Sequence, residues 1–581
     1  MRLRCRNGPW QNTFPWTNSE DPLMDDRADL IVTNANVLTL DGQDRRSQAL
    51  AVKDERILAV GDDARINSLA GERTQRIDGA KRAVVPGLID GHAHMDREGL
   101  KEALPSLSGC RSIADVLERI REVAKRTPPG EWIVTMPVGE PPFYHGVPEN
   151  LGEGRFPDRH ELDRVAPDHP VYIRAIWGHW RNTLPLVSVA NTRALERAGI
   201  DRNTMPPAPS IQIEKELTTG EPTGRLYEFT FKPLVEKTLM ACIPRFTLEQ
   251  RITGLQRSMQ VYNSVGTTSV FEGHGIASEV LAAYQDLRAR GPLSVRSMLM
   301  FSPAWPGTDV DAVKGLLLDW GRWLAGRGMG DEYLGMAGLY TESDYNDENQ
   351  LRALCGPYTG WAGFNFNAAL PEPVMVEMMV EAARAGIRVG SFSPRILDLY
   401  EQVNARCPIT DQRWIIEHVG RFEPDEVRRI ADLGLVLQAY SGKWIGQDGE
   451  RLRGELGDAG SEQVLPLRDL LDAGVHVSLA TDNVPPTLFL PIWHAVARLP
   501  DGSTQPLGPG QRISRVEALA CASREGAWLS FEEDRKGTLE AGKFADFAVL
   551  SDDPLSVDEA AIPGITADIT VTGGRIVHRI D

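Results

Sequence analysis

Residues 84–94 read VVPGLIDGHAH. The run is apolar through Ile89 and ends on His92-Ala93-His94. A short apolar run bounded by a Pro-Gly break reads as a strand buried on both faces, the kind found in parallel sheets. Side chains at i and i+2 of a strand point the same way, so both imidazoles leave one face together. Histidine is the commonest neutral metal ligand.

Seven further strand patterns follow this one. They are VGTTSVFEG (265–273), LSVRSMLMF (293–301), EYLGMAGLY (332–340), IRVGSFS (387–393), RWIIEHV (413–419), LGLVLQAY (433–440) and VHVSLATD (475–482). Helical patterns lie between them, such as 372–386 and 423–434, both apolar at helical spacing and closed by glycine. Eight strands alternating with helices predict an α/β fold of the (β/α)8 TIM-barrel type over 87–535. Residues from about 100 to 260 exceed one strand-to-strand connection, so they read as an inserted subdomain after the first strand. The ends differ in character. DLIVTNANVLTL (29–40), QALAVKDERILAVG (48–61) and ADITVTGGRIVHR (567–579) are strand–turn–strand patterns. They predict a small β-sandwich built from both termini, 28–86 and 536–581. Residues 1–27 read as an N-terminal extension, with Met24 an alternative start.

Composition narrows the function. Of the 581 residues, 81 are acidic and 63 basic, a net charge of −18 that disfavours nucleic acid as a partner. No window holds the ~20 apolar residues of a membrane span. The six cysteines are scattered without CxxC pairs, which fits a reducing, cytoplasmic setting. The first residues lack the apolar core of a secretory signal. A homodimer is the default expectation for a globular chain of this kind.

Active sites of this barrel sit at the C-terminal ends of the strands. His92 and His94 lie there, and so do His418, closing WIIEHV, and Asp482, closing VSLATD. Aspartate is both an oxygen ligand and a proton carrier.

At this point the chain resembles the amidohydrolase superfamily, and within it the family 3 group that includes N-substituted formamide deformylases. The resemblance covers nearly all of 28–581. It rests on VVPGLIDGHAH, WIVTMPVG (132–139), RFPDRHELDRVAPDHPVYIRAIWGHW (155–180), NTRALERAGI (191–200), RWIIEHV, LLDAGVHVSLATDN (470–483) and GTLEAGKFADFAVL (537–550). It implies metal ligands at His92, His94 and His418, and Asp482 as a metal-bound proton shuttle. It also implies a metal-activated water that attacks an amide, formamide or other C–N bond of a small molecule.

Two departures matter. Relatives carry a carboxylated lysine at the end of strand four, where this chain has Ala337-Gly338. They carry a histidine at the end of strand five, where this chain has Ser391-Phe392. Two metals held about 4 Å apart need a bridge and their own ligands, so one divalent ion is expected, zinc first, with Mn2+ or Fe2+ as alternatives. Glu342 stands as a reserve ligand and Glu272 as a substitute bridge; the bland reading of each is a solvated or helix-capping carboxylate.

Other residues are candidates for the pocket. His179, matching a Gly-His of the family's insertion, would hold a substrate carbonyl or its oxyanion. Lys443, Trp177, Trp444 and Tyr340 are read as substrate-binding, with Lys443 facing a substrate carboxylate or else solvent. Asp96 would orient the two histidines. Phe143, Tyr144, Trp180 and Trp361 either face a flat substrate or pack the insertion. His274 reads as a loop residue. Two other functions remain open on the sequence: a single-metal decarboxylase or C–C lyase acting on an aromatic acid, and a ligand-depleted, non-catalytic binding protein.

Overall fold

The structure is a computed structural model that describes residues 27–580, apart from 142–143, 177–183, 232, 306–308, 345, 349–350 and 352–367. Its centre is a parallel sheet of eight strands in chain order. They are β1 (Leu88–Ala93), β2 (Thr267–Ile276), β3 (Arg296–Phe301), β4 (Leu334–Tyr340), β5 (Val389–Ser391), β6 (Ile415–Glu417), β7 (Val436–Tyr440) and β8 (His476–Ala480). Nearly every strand residue is buried, because helices cover the outside and side chains fill the inside. All eight strands expected from the sequence are present, and the fold is the α/β barrel.

The first and last strands meet through a side chain. The buried Asp90 carboxylate of β1 accepts from the Thr481 hydroxyl, from the Thr481 amide at 3.1 Å, and from the His92 amide at 3.1 Å. The Asp482 amide then donates to the His92 carbonyl at 3.0 Å. These bonds join the end of β8 to the end of β1, which brings Asp482 to the two histidines.

Below the mouth the barrel interior is packed. Phe271, Met298, Met300, Ala337, Ile415, Val436 and Leu529 form one buried cluster. The buried Arg388 guanidinium lies 4.9 Å from the centre of the Phe271 ring and donates to the Leu529 carbonyl. The barrel is therefore a filled core with its cavity at the C-terminal end.

This packing explains the missing strand-four lysine. Ala337 belongs to the apolar layer. Gly338 has φ of +93°, and a Cβ there would lie 2.8 Å from the Arg388 Cγ. A side chain at Gly338 would meet Arg388, and Ala337 is already packed among buried neighbours. We expect Gly338→Ala to cost about 1–3 kcal/mol from strain and overpacking. Thermal denaturation checks this, and an unchanged melting temperature would contradict it.

The two ends of the chain share one sheet. Strand Ala83–Pro86 pairs antiparallel with Phe547–Leu550, and that sheet continues through Ala567–Thr572 to Arg575–Arg579. A second, four-stranded sheet is built from residues between Ala28 and Asp78. The segment between β1 and β2 carries its own five-stranded sheet, from Ile133–Thr135 to Pro222–Glu228 and Ile211–Lys215. It leads into helix Leu248–Ser264, which starts on a Thr247–Gln250 capping box and packs behind β1 and β2. Among the described residues no helix is long and apolar enough to cross a membrane.

Candidate metal centre

Four imidazoles meet at the barrel mouth. Ring nitrogens of His92, His94, His274 and His418 all lie within 4.8 Å of one another. The His92 Nε2 is 3.2 Å from the His94 Nε2 and 2.8 Å from the His418 Nε2. The His94 Nε2 is also 2.9 Å from an Asp482 carboxylate oxygen. His92 and His94 come from the end of β1, His418 from the end of β6, and Asp482 from the end of β8. The structure brings these four sequence candidates together.

His274 joins them, so its reading as a loop residue was wrong. It lies within β2, which runs on to Ile276. The pairing of β2 with β3 slips between Glu272 and Ile276, and this irregularity turns His274 to the centre. Its neighbour Gly273 has to be a glycine. A Cβ there would lie 2.0 Å from a His92 ring atom, so the imidazole occupies the space a side chain would need.

Partners on the far side orient the rings. The His92 Nδ1 is 2.7 Å from the Gln438 side-chain oxygen, and the His274 Nδ1 is 2.9 Å from the Glu417 Oε2. With Nδ1–H donating in both, each Nε2 carries a lone pair. Burial pushes the His92, His94 and His274 pKa values down, which keeps these rings in the neutral, ligating form. Burial alone would raise the Asp482 carboxyl, but His94, His418 and Arg97 outweigh it and hold the group well below the usual carboxylate range. His418 and Asp482 both adopt left-handed backbone, with φ of +54° and +51°. Strain of this kind in non-glycine residues clusters at functional sites.

This donor set fits one metal ion. The His92 Nε2 lies 3.2 Å from the His94 Nε2 and 2.8 Å from the His418 Nε2, an arrangement of converging lone pairs that a cation between them would satisfy. Glu342 is not among the grouped donors. It is buried beside Glu417, whose pKa is raised by burial and then by the Glu342 charge. Its absence from the grouped donors among the described residues gives no support to a ligand role. Glu272 is buried as well, not solvated. It accepts from the Asp96 amide at 3.1 Å and from the Tyr284 hydroxyl. Asp96 lies behind His94, its carboxylate 3.9 Å from the Nδ1.

The cavity above the cluster measures about 710 Å3 and includes His274 and His418 in its wall. Lys443 and Trp444 line it too. Lys443 is held by Asp448 at 3.1 Å, and the Trp444 indole donates to the His418 carbonyl at 2.7 Å. Tyr340 is fully buried, 5.1 Å from the His274 ring. Tyr144 is buried in the core of the insertion. His179, Trp177, Phe143, Trp180 and Trp361 lie outside the described residues. The sequence reading missed Glu417, Gln438 and Arg97. Glu417 directly precedes His418 and Arg97 follows His94 by three positions, so a strand-end count carried that far would have reached both; Gln438, five residues before Lys443, has no named site residue beside it.

We expect Glu417→Ala to weaken metal binding by about 10–100-fold, because the His274 ring loses its orienting acceptor. Glu417→Gln keeps a carbonyl oxygen and should retain most of the affinity. Titration against a competing chelator checks both; an unchanged affinity in Glu417→Ala would remove Glu417 from the site.

Residues 75–578 match the amidohydrolase family. The chain belongs to this family. The amidohydrolase is 28% identical over 557 residues to the N-substituted formamide deformylase of Arthrobacter pascens, covering 91% of this chain and 94% of that one. It is 25% identical over 542 residues to Protein LONG AFTER FAR-RED 3 of Arabidopsis thaliana, covering 90% and 87%. A metal-dependent hydrolase of Pyrococcus horikoshii shares the fold with a TM-score of 0.65 at 20% identity, over 91% of this chain and 99% of that one. As an amidohydrolase the protein is a metal-dependent hydrolase of carbon–nitrogen bonds.

Proposed function

We propose that this amidohydrolase uses a single divalent ion, zinc first, to hydrolyse an amide or formamide bond of a small molecule. The convergence of four imidazoles beside Asp482 carries the reading. The similarity to a formamide deformylase over most of both chains supports the bond class.

His92, His94, His274 and His418 would hold the ion, with Asp482 against its edge. When bound, such an ion supplies Lewis acidity, lowering the pKa of a water from about 15.7 towards ~7 and polarising a carbonyl. Asp482 acts as the base in this reading. Its carboxylate takes a proton from the attacking water as the water oxygen adds to the carbonyl carbon. As the C–N bond breaks, Asp482 returns that proton to the leaving nitrogen. The wall formed by Phe231, Phe392, Tyr440 and Trp444 excludes water from one side of the substrate and gives an apolar or aromatic group a surface.

The test is a panel of N-substituted formamides and small amides, with amine and acid release both quantified. Equimolar amine and acid support the reading. Carbon dioxide release from aromatic acids with no amine product would overturn it in favour of a lyase.

A further inference from the structure

Trp444 forms part of the cavity wall and also grips the backbone of His418. Its indole Nε1–H donates to the His418 carbonyl at 2.7 Å. That carbonyl belongs to a constrained residue. His418 has φ of +54°, and a tight turn closes around it, with the Val419 amide donating to the Glu417 carbonyl at 2.7 Å. A non-glycine residue keeps such a backbone only where its neighbours over-determine it.

Room for the indole is built in. A Cβ on Gly420 would lie 2.2–2.3 Å from three atoms of the Trp444 ring, so the ring rests against the chain two residues after His418. Gly420 does not have left-handed backbone, so it is the ring that excludes a side chain there. The Gly420 carbonyl accepts from the Leu465 amide at 2.7 Å, which fixes this stretch from its other side.

The turn that carries Trp444 is fixed as well. Gly442–Gln447 makes one turn of π-helix, with the Asp448 amide donating to the Lys443 carbonyl at 2.8 Å. Such turns are rare and recur at functional sites. This one is pinned by its neighbours. The Ser441 hydroxyl lies 3.2 Å from the Nδ1 of the buried His494, and Ile445 is buried in the core. The Asp501 amide donates to the Gly446 carbonyl at 3.1 Å. The indole is therefore a fixed point against which His418 is set.

We propose that Trp444 is a positioning residue for the metal centre. Through its indole N–H it holds the His418 backbone in the conformation that turns the His418 Nε2 towards the other imidazoles. The N–H is what the centre needs, and the bulk of the ring is not enough. This rests on the reading of His418 as a ligand.

The experiment measures zinc affinity by chelator competition and the visible spectrum of the cobalt(II)-substituted protein. It compares wild type with Trp444→Phe, Gly420→Ala and His418→Ala, and melting temperatures of the metal-free proteins are taken on the same samples. Trp444→Phe keeps an aromatic wall and removes the donor. We expect its zinc affinity to fall about 10-fold, as for loss of a group that orients a ligand, and its cobalt d–d bands to change in position and intensity. Gly420→Ala keeps the indole but displaces it, and should show the same two changes. His418→Ala should lose about 100-fold or more, as for loss of a ligand.

A wall role alone would leave the zinc affinity and cobalt bands of Trp444→Phe at wild type, whatever its melting temperature, and would overturn the proposal. If His418→Ala loses affinity in that case, the ligand reading of His418 stands and only the role of Trp444 fails. Wild-type affinity in His418→Ala would overturn both. If Trp444→Phe does not fold, Gly420→Ala decides: a loss of affinity supports the proposal, and wild-type affinity overturns it.

Discussion

Asp482→Asn should keep the metal and lose turnover. The asparagine matches the carboxylate in shape, and the four imidazoles remain in place, so metal content stays near the wild-type value. What disappears is a group that can accept a proton. General-base loss typically costs 10²–10⁴-fold, and a fall in kcat of about 10³-fold is expected here. The position also explains why a base is available. Asp482 is held ionised by His94, His418 and Arg97 despite its burial. Steady-state kinetics with parallel elemental analysis makes the check. A kcat within about tenfold of wild type would remove Asp482 from proton transfer.

The second large effect concerns His274. His274→Ala removes one of four grouped ring nitrogens and leaves the Glu417 carboxyl without its 2.9 Å partner. Losing an orienting residue costs metal affinity by 10–100-fold, so losing a ligand should cost about 100-fold or more, with activity falling alongside. Added zinc should restore part of the activity at high concentration. Chelator competition measures the affinity directly; wild-type affinity in His274→Ala would mean that the ion sits on His92, His94 and His418 without it.

These two residues mark where the sequence was legible and where it was not. Asp482, His92, His94 and His418 could be placed because each ends an apolar run, and the barrel collects strand ends at one mouth. His274 could not be placed in this way. It sits in Glu272-Gly273-His274-Gly275, and two flanking glycines signal a loop. Here they serve a strand instead. Gly273 yields its side-chain space to the His92 ring, and Gly275 takes φ of +72° where β2 pairs irregularly with β3. Only the packed structure shows that.

The missing lysine is the complementary case. Its absence was visible in GMAGLYTES, but the reason was not. Gly338 is pinned against Arg388, and Ala337 fills the apolar layer beneath the cluster. The carboxylates offered as substitutes, Glu342 and Glu272, are buried rather than solvated, and Glu272 is grouped with His94 and Asp96: a side chain's type and position along a strand end do not tell which neighbours it meets. The alternation of strands and helices, by contrast, was enough for the barrel, because all eight strands are short apolar runs flanked by glycine or proline.

The central claim is one ion held by histidines. Elemental analysis of the protein purified without added metal tests it most directly. The account predicts about one equivalent of zinc, manganese or iron per chain, lost together with activity on chelation and restored by adding the ion back. Two equivalents would contradict it and would point to the neighbouring donor group of His94, Asp96 and Glu272 as the seat of a second ion. A protein that takes up no ion, even after incubation with zinc, manganese or iron(II), would contradict it as well.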